Sequence, residues 1–233
     1  MTDSHTITAD LPSGPDQLGD GDGATSYLPE STAPRPLPTA QYPIQYSVEY
    51  PDRQVNRLTT GLRIFTALPI LVLAGAVSGA SYAAGGLLFL GPLLMILFRQ
   101  KYPRWWFEWN RELLRFENRV GVYVALMDDR YPSTDEPQAV RLDFDYPDAL
   151  SDLNRWLPLV KWLLAIPHYI ALLFLYIGAV IAIIAAWFAI LFSGRYPRAL
   201  FDYLVGVGRW HNRVVGHAIL LVTDQYPPFR LAP

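Results

Sequence analysis

Two short stretches carry the side chains best suited to chemistry. They are Arg115-Phe116-Glu117-Asn118-Arg119-Val120 and Arg209-Trp210-His211-Asn212-Arg213-Val214. On a helix, Arg115 with Arg119, and Arg209 with Arg213, are i,i+4 neighbours on one face. Guanidiniums so placed can clamp a phosphate, or they can form structural ion pairs with Glu108, Glu112 and Asp202. Arg115, Arg119, Arg209, Arg213, Glu108 and Asp202 are therefore the candidates for anion contact or ion pairing.

Other chemistry finds little support. His211 and His217 are six apart and leave one helix face, His168 follows Pro167, and His5 lies near the start, so no pair has metal-ligand spacing. The chain has no cysteine, which excludes disulfides, thiolate metal sites and cysteine nucleophiles. Phosphate-binding glycine loops and nucleophile elbows are missing from the sequence. Ser78, Ser81 and Ser193 read as small packing or turn residues. No catalytic residue, metal site or cofactor is assigned. A net charge of -2 gives no electrostatic case for nucleic acid.

The elements that must carry the arginines are amphipathic. In Arg104–Met127, Trp106, Trp109, Leu113, Phe116, Val120 and Tyr123 recur at three- and four-residue steps, opposite Glu108, Glu112, Arg115 and Arg119. Arg198–Val222 is a second such helix. Dense tryptophan beside cations suits helices lying at headgroup depth, with Trp105, Trp106, Trp109 and Trp210 as interfacial anchors.

Each amphipathic helix follows an uncharged run, Ile64–Phe98 or Trp162–Gly194, and all 19 Lys and Arg lie outside these runs. This segregation predicts a membrane protein. A straight helix over the first run would be about 52 Å long, against a hydrocarbon thickness of about 30 Å. A helical hairpin fits better, turning near Ser78–Gly86, with Pro69 and Pro92 kinking its arms. The second run predicts another hairpin, turning near Tyr176–Ala179. Two hairpins put both termini and every cation on one side, which the positive-inside rule makes cytoplasmic. No carboxylate lies within either run, which disfavours a coupled transporter.

Before each run comes an alternating strand pattern, Tyr42–Tyr50 and Val140–Tyr146, ended by Pro51 and Pro147. Approach helices follow over Asp52–Leu62 and Asp148–Lys161. Residues 1–41 hold six carboxylates against Arg35 alone and many prolines and glycines, so a solvated tail is expected there. The N-terminus shows no signal-peptide pattern. The organisation read is a tail over 1–41, a first membrane unit over 42–139 and a second over 140–233. The fold class is all-α membrane protein with minor β, in two tandem repeats.

Anchors align between the units. Tyr50-Pro51 matches Tyr146-Pro147, Asn56-Arg57 matches Asn154-Arg155, Arg63 matches Lys161, Pro69 matches Pro167, and Tyr102-Pro103-Arg104 matches Tyr196-Pro197-Arg198. Asp129-Arg130-Tyr131-Pro132 recurs as Asp224-Gln225-Tyr226-Pro227. With Leu164-Ala165-Ile166-Pro167-His168, Trp187–Arg198, Phe201-Asp202, Gly206-Val207, Arg209-Trp210 and Thr223–Phe229, the chain resembles the bacterial membrane family catalogued as domain of unknown function 4389. The resemblance covers residues 140–230 and, more loosely, 44–132. In the first unit Ser-Gly becomes Arg99-Gln100, and the closing Pro-Phe is lost at Ser133. The resemblance implies membrane topology and carries no activity. The expected function is non-enzymatic, organising or binding at a cytoplasmic lipid surface, with the bilayer and anionic phospholipid as partners. An accessory subunit of a transport or envelope-biogenesis complex, through a membrane-protein partner or homo-oligomer, and a lipid-acting membrane enzyme remain open.

Overall fold

The computed structural model describes residues 42–51, 55–83, 87–134 and 136–233; the tail expected over 1–41 lies outside them. In chain order the elements are β1 (Gln45–Val48), α1 (Arg57–Ala83), α2 (Leu87–Arg99), α3 (Arg104–Val124), β2 (Val140–Asp143), α4 (Pro158–Leu164), α5 (Ile166–Ser193) and α6 (Arg198–Ala218). The described protein is thus mostly helical, with one small two-stranded sheet.

Both alternating stretches form strands, shorter than their patterns. β1 and β2 pair antiparallel, with Tyr46 opposite Leu142, Gln45 opposite Asp143 and Ser47 opposite Arg141. Tyr46 and Leu142 are buried, whereas Ser47, Arg141 and Asp143 are exposed. Alternation therefore gives the ribbon one apolar face and one polar face.

The amphipathic helices α3 and α6 start just after Tyr-Pro pairs, where proline's extended φ and ψ set the helix entry. Both stand between the ribbon and the long apolar helices: α6 packs on β1 and α5, and α3 on β2 and α1. The main core joins Ile44, Phe144, Ile96, Phe107, Ile190 and Phe201 from all of these layers. Two smaller clusters flank it. Ile70, Phe116 and Val120 lock α1 to α3. Leu172, Trp210 and Val214 lock α5 to α6.

Among the described residues, two helices are long and apolar enough to cross a membrane, Arg57–Val77 within α1 and the whole of α5. The hairpin expected in the second run is not there. α5 is one helix of 28 residues, unbroken through Tyr176–Ala179. Gly178, inside the expected turn, has another use: the Tyr203 ring and hydroxyl pack where its side chain would be, and Tyr203 donates to the Leu175 carbonyl at 2.9 Å. α5 stops instead at Gly194, whose φ of 71° is the left-handed cap that glycine adopts without strain. In the first run α1 continues to Ala83, so only the end of the turn expected at Ser78–Gly86 is left, and residues 84–86 lie outside the described ones. The approach helices change too. The first merges into α1, which starts at Arg57; the second shrinks to α4, started by Pro158. Without a turn in α5, the placement of all cations on one side no longer follows from hairpins.

Candidate functional site

Along α5, Ile166, Ile170, Leu173, Ile177, Ile184 and Phe188 are all exposed. Their three-, four- and seven-residue steps make one continuous stripe. α1 adds Leu58, Phe65, Leu68 and Val72, and α2 adds Leu90, Leu94 and Phe98. Only 22% of the most apolar window of each long helix is buried. A soluble monomer seldom exposes an apolar surface this extensive, so a contiguous face of this kind marks an interaction site. Between α1 and α5 it holds a groove of about 330 Å³ lined by Leu71, Val124, Ile183 and Trp187 among others.

The inner side of the apolar helices is fastened by polar pairs that occur twice, at matched positions. Arg63, almost fully buried, meets Asp129 at 2.6 Å, donates to the carbonyls of Tyr123 and Asp128, and lies over the Tyr123 ring. Lys161, fully buried, meets Asp224 at 2.6 Å and donates to the Thr223 carbonyl at 2.8 Å, beside His217. Burial lowers the Lys161 pKa, against the opposing pull of Asp224. Burial, with the Lys161 cation second, pushes His217 down to about 4, so its ring is neutral.

Other contacts repeat in the same way. The Tyr102 hydroxyl donates to the Leu220 carbonyl and that of Tyr196 to the Ala125 carbonyl. Tyr50 donates to the Tyr196 carbonyl and Tyr146 to that of Tyr102. Within each half, the Asn56 backbone N–H donates to Asp129 and the Asn154 backbone N–H to Asp224, while the tyrosines cross between halves. Each half thus closes part of the other's framework.

The four candidate arginines face the ribbon and the chain segments beside it. Arg115 donates to the Leu142 carbonyl and pairs with Glu112 and Asp143. Arg209 donates to the carbonyls of Tyr46 and Leu231. Arg119 holds the carbonyls of Ser133 and Thr134, and Arg213 those of Arg230 and Ala232. Glu108 and Asp202 lie apart from them, in exposed i,i+4 pairs with Arg104 and Arg198. Of the expected anchors, Trp105 and Trp109 are exposed and Trp106 is half-buried against Gly91. Trp210 is a correction: it is buried between α5 and α6, donating to His168 Nδ1 at 3.0 Å. An indole at that helical spacing fits either face, and here the inward one wins because His168 and Phe229 complete its surroundings.

A second cavity of about 390 Å³ lies between α3 and α6, with Tyr46, Asn118, Tyr176 and His211 in its wall. Tyr176 and His211 share a hydrogen bond of 2.6 Å there. The arginine pairs, Glu108 and Asp202 do not line this cavity. Arg115 and Arg119 line a different cavity, of about 330 Å³ beside the ribbon, with Glu112 and Asp143, whereas Arg209, Arg213, Glu108 and Asp202 line neither.

The sequence reading missed the Arg63–Asp129 and Lys161–Asp224 pairs. Their signal was available, since Arg63 aligns with Lys161 and the two Asp-x-Tyr-Pro segments align with each other. No curated protein and no solved structure matches the chain. Residues 156–230, which take in α4, α5, α6 and most of the C-terminal segment, match the family model described as Domain of unknown function (DUF4389), and the match covers the second half alone.

Proposed function

We propose that this is a bilayer-bound protein that organises or binds at the cytoplasmic lipid surface of the cell membrane, without a catalytic step. The observation that carries this reading is the number of large apolar side chains exposed along α1, α2 and α5. Lipid is the solvent such a face requires. Exposed cations stand at the helix ends bordering it, among them Arg57, Arg99, Lys101, Arg195 and Arg198. Cations so placed attract anionic headgroups, and a cytoplasmic leaflet supplies them.

In this reading the chain is two copies of one unit, although the family match supports only the second. The paired contacts of Arg63 and Lys161, and of Tyr102 and Tyr196, favour duplication. The test is flotation of the purified full chain with vesicles. It is expected to float with neutral vesicles and more completely with anionic ones. Changing Arg57, Arg195 and Arg198 together to Gln is expected to remove the anionic preference. A chain that stays at the bottom of the gradient with both vesicle types refutes the proposal.

A further inference from the structure

The polar ribbon and the apolar stripe occupy opposite sides of one thin stack, level with the middle of α5. Tyr176, near that middle, hydrogen-bonds His211 of α6. One turn back, Gly208 packs on the ring of Tyr46 in β1, and Arg209 donates to the Tyr46 carbonyl. On the far side of β1 and β2 lie exposed Ser47, Arg141 and Asp143. One line therefore runs from the stripe on α5, through α6, to a charged surface, within three layers.

α5 is also tied down along its whole length. Near its start, the Leu164 carbonyl accepts from Tyr226, and Lys161 pairs with Asp224. In its middle, Leu175 accepts from Tyr203. At its end, Gly194 accepts from the Val55 amide, and Tyr196 reaches the Ala125 carbonyl. The buried side of α5, His168, Leu172, Ala182, Ala186 and Ile190, runs along the whole helix, unlike that of a helix crossing alone.

We propose that α1, α2 and α5 lie along one leaflet of the bilayer instead of crossing it. This deepens the lipid-surface reading and rests on it. Were α5 upright with its centre at the bilayer midplane, Arg141 and Asp143 would sit at the same depth. These charged side chains would then meet hydrocarbon, where an ionised group is costly. Lying flat, α5 sinks its stripe by about 5–10 Å and leaves the ribbon in water. The rim agrees with this placement. Trp105, Trp109, Trp156 and Trp162 are exposed, and indoles gather at headgroup depth. The occupant of the face is thus a single anionic leaflet, with the cations at the helix ends meeting its phosphates.

The absence of cysteine allows a direct test. Nitroxide labels go on single cysteines at Ile170, Ile177, Ile184 and Phe188 of the full chain, all exposed sites whose replacement disturbs no packing. Depth is read in phosphatidylcholine/phosphatidylglycerol vesicles from collisions with oxygen and with a water-soluble nickel complex. Ser47→Cys and Arg141→Cys are probed with an impermeant maleimide added outside. The four stripe sites are expected at one shallow depth, with both ribbon sites labelled. A profile deepest between Ile177 and Ile184, rising towards Ile170 and Phe188, overturns the flat orientation while leaving bilayer binding intact. Four labels in water, or no flotation at all, overturns both.

Discussion

Asn118 and Asn212 hydrogen-bond each other twice, each amide Nδ2 donating to the other's Oδ1 at 2.8 Å. Each also donates one turn back along its own helix, to the Leu114 and Gly208 carbonyls. The pair joins α3 to α6 at equivalent positions, and Tyr46 faces Leu142 in the ribbon in the same reciprocal way. Asn212 is fully buried, so removing its partner leaves polar atoms without water to replace it. Asn118→Ala is expected to destabilise by about 1–3 kcal/mol. The double Asn118→Ala/Asn212→Ala variant is expected to lose less than the sum of the singles, since the second change has no partner left to strand. Denaturant unfolding in mild detergent measures this. Strict additivity would contradict the coupling.

Two helical glycines make opposite predictions. Gly75 in α1 is exposed, with nothing near where a Cβ would go, so Gly75→Ala is expected to stabilise by about 0.5–1 kcal/mol through helix propensity. Gly178 in α5 would gain the same propensity. Its Cβ, however, would displace the Tyr203 hydroxyl from Leu175, with an overpacking cost of about 1–3 kcal/mol. Gly178→Ala is therefore expected to lower the melting temperature where Gly75→Ala raises it. Tyr203→Phe with Gly178→Ala should recover part of the loss.

Gly178 also shows where sequence reading stops. A glycine in an apolar run is a fair turn signal, and nothing local reveals that a tyrosine 25 positions later needs the space. Lys161 and Asp224, separated by most of the second half of the chain, are signalled only by the alignment of Arg63 with Lys161 and of the two Asp-x-Tyr-Pro segments, which marks matched positions and not a contact. Trp210 fits either face by spacing, so only its partners His168 and Phe229 decide that it turns inward. By contrast, α3 was legible because Phe116, Val120 and Tyr123 recur at helical steps, and all three are buried. The strands were legible from alternation alone. Several anchors aligned in sequence make matched contacts in space: Arg63 and Lys161 each within its own half, Tyr50, Tyr102, Tyr146 and Tyr196 from one half to the other.

The buried pair Lys161–Asp224 yields a third prediction. Lys161→Met leaves the partly exposed Asp224 carboxylate without its cation, and a hydrogen-bonded charge left without its partner costs about 1–3 kcal/mol. Lys161→Met with Asp224→Asn is expected to lose clearly less, because no unpaired charge remains. Equal losses in the two variants would mean that the pair contributes by packing alone. Thermal unfolding followed by circular dichroism distinguishes these outcomes.

His217 makes stability depend on pH. Its ring is packed beside Lys161, Asp224 and Tyr226, its Nδ1 lies 3.2 Å from the Thr223 carbonyl, and its pKa is pushed down to about 4 from the ordinary 6.5. The unfolded chain takes up this proton near pH 6.5 and the folded chain only near pH 4. Stability from the neutral ring is therefore complete above the unfolded value and is lost as pH falls through the window between the two. The slope within that window is about 1.4 kcal/mol per pH unit for one proton, and it flattens below the folded value. His211, also pushed down to about 4 by burial, contributes in the same direction. His217→Gln keeps a donor for Thr223 and cannot titrate. Between pH 6.5 and 4 its stability is expected to fall less steeply than that of the parent, because His211 and His168, both shifted down by burial, still contribute. An unchanged slope in the variant would show that His217 takes up its proton equally in the folded and unfolded chains, and that its burial does not hold the ring neutral.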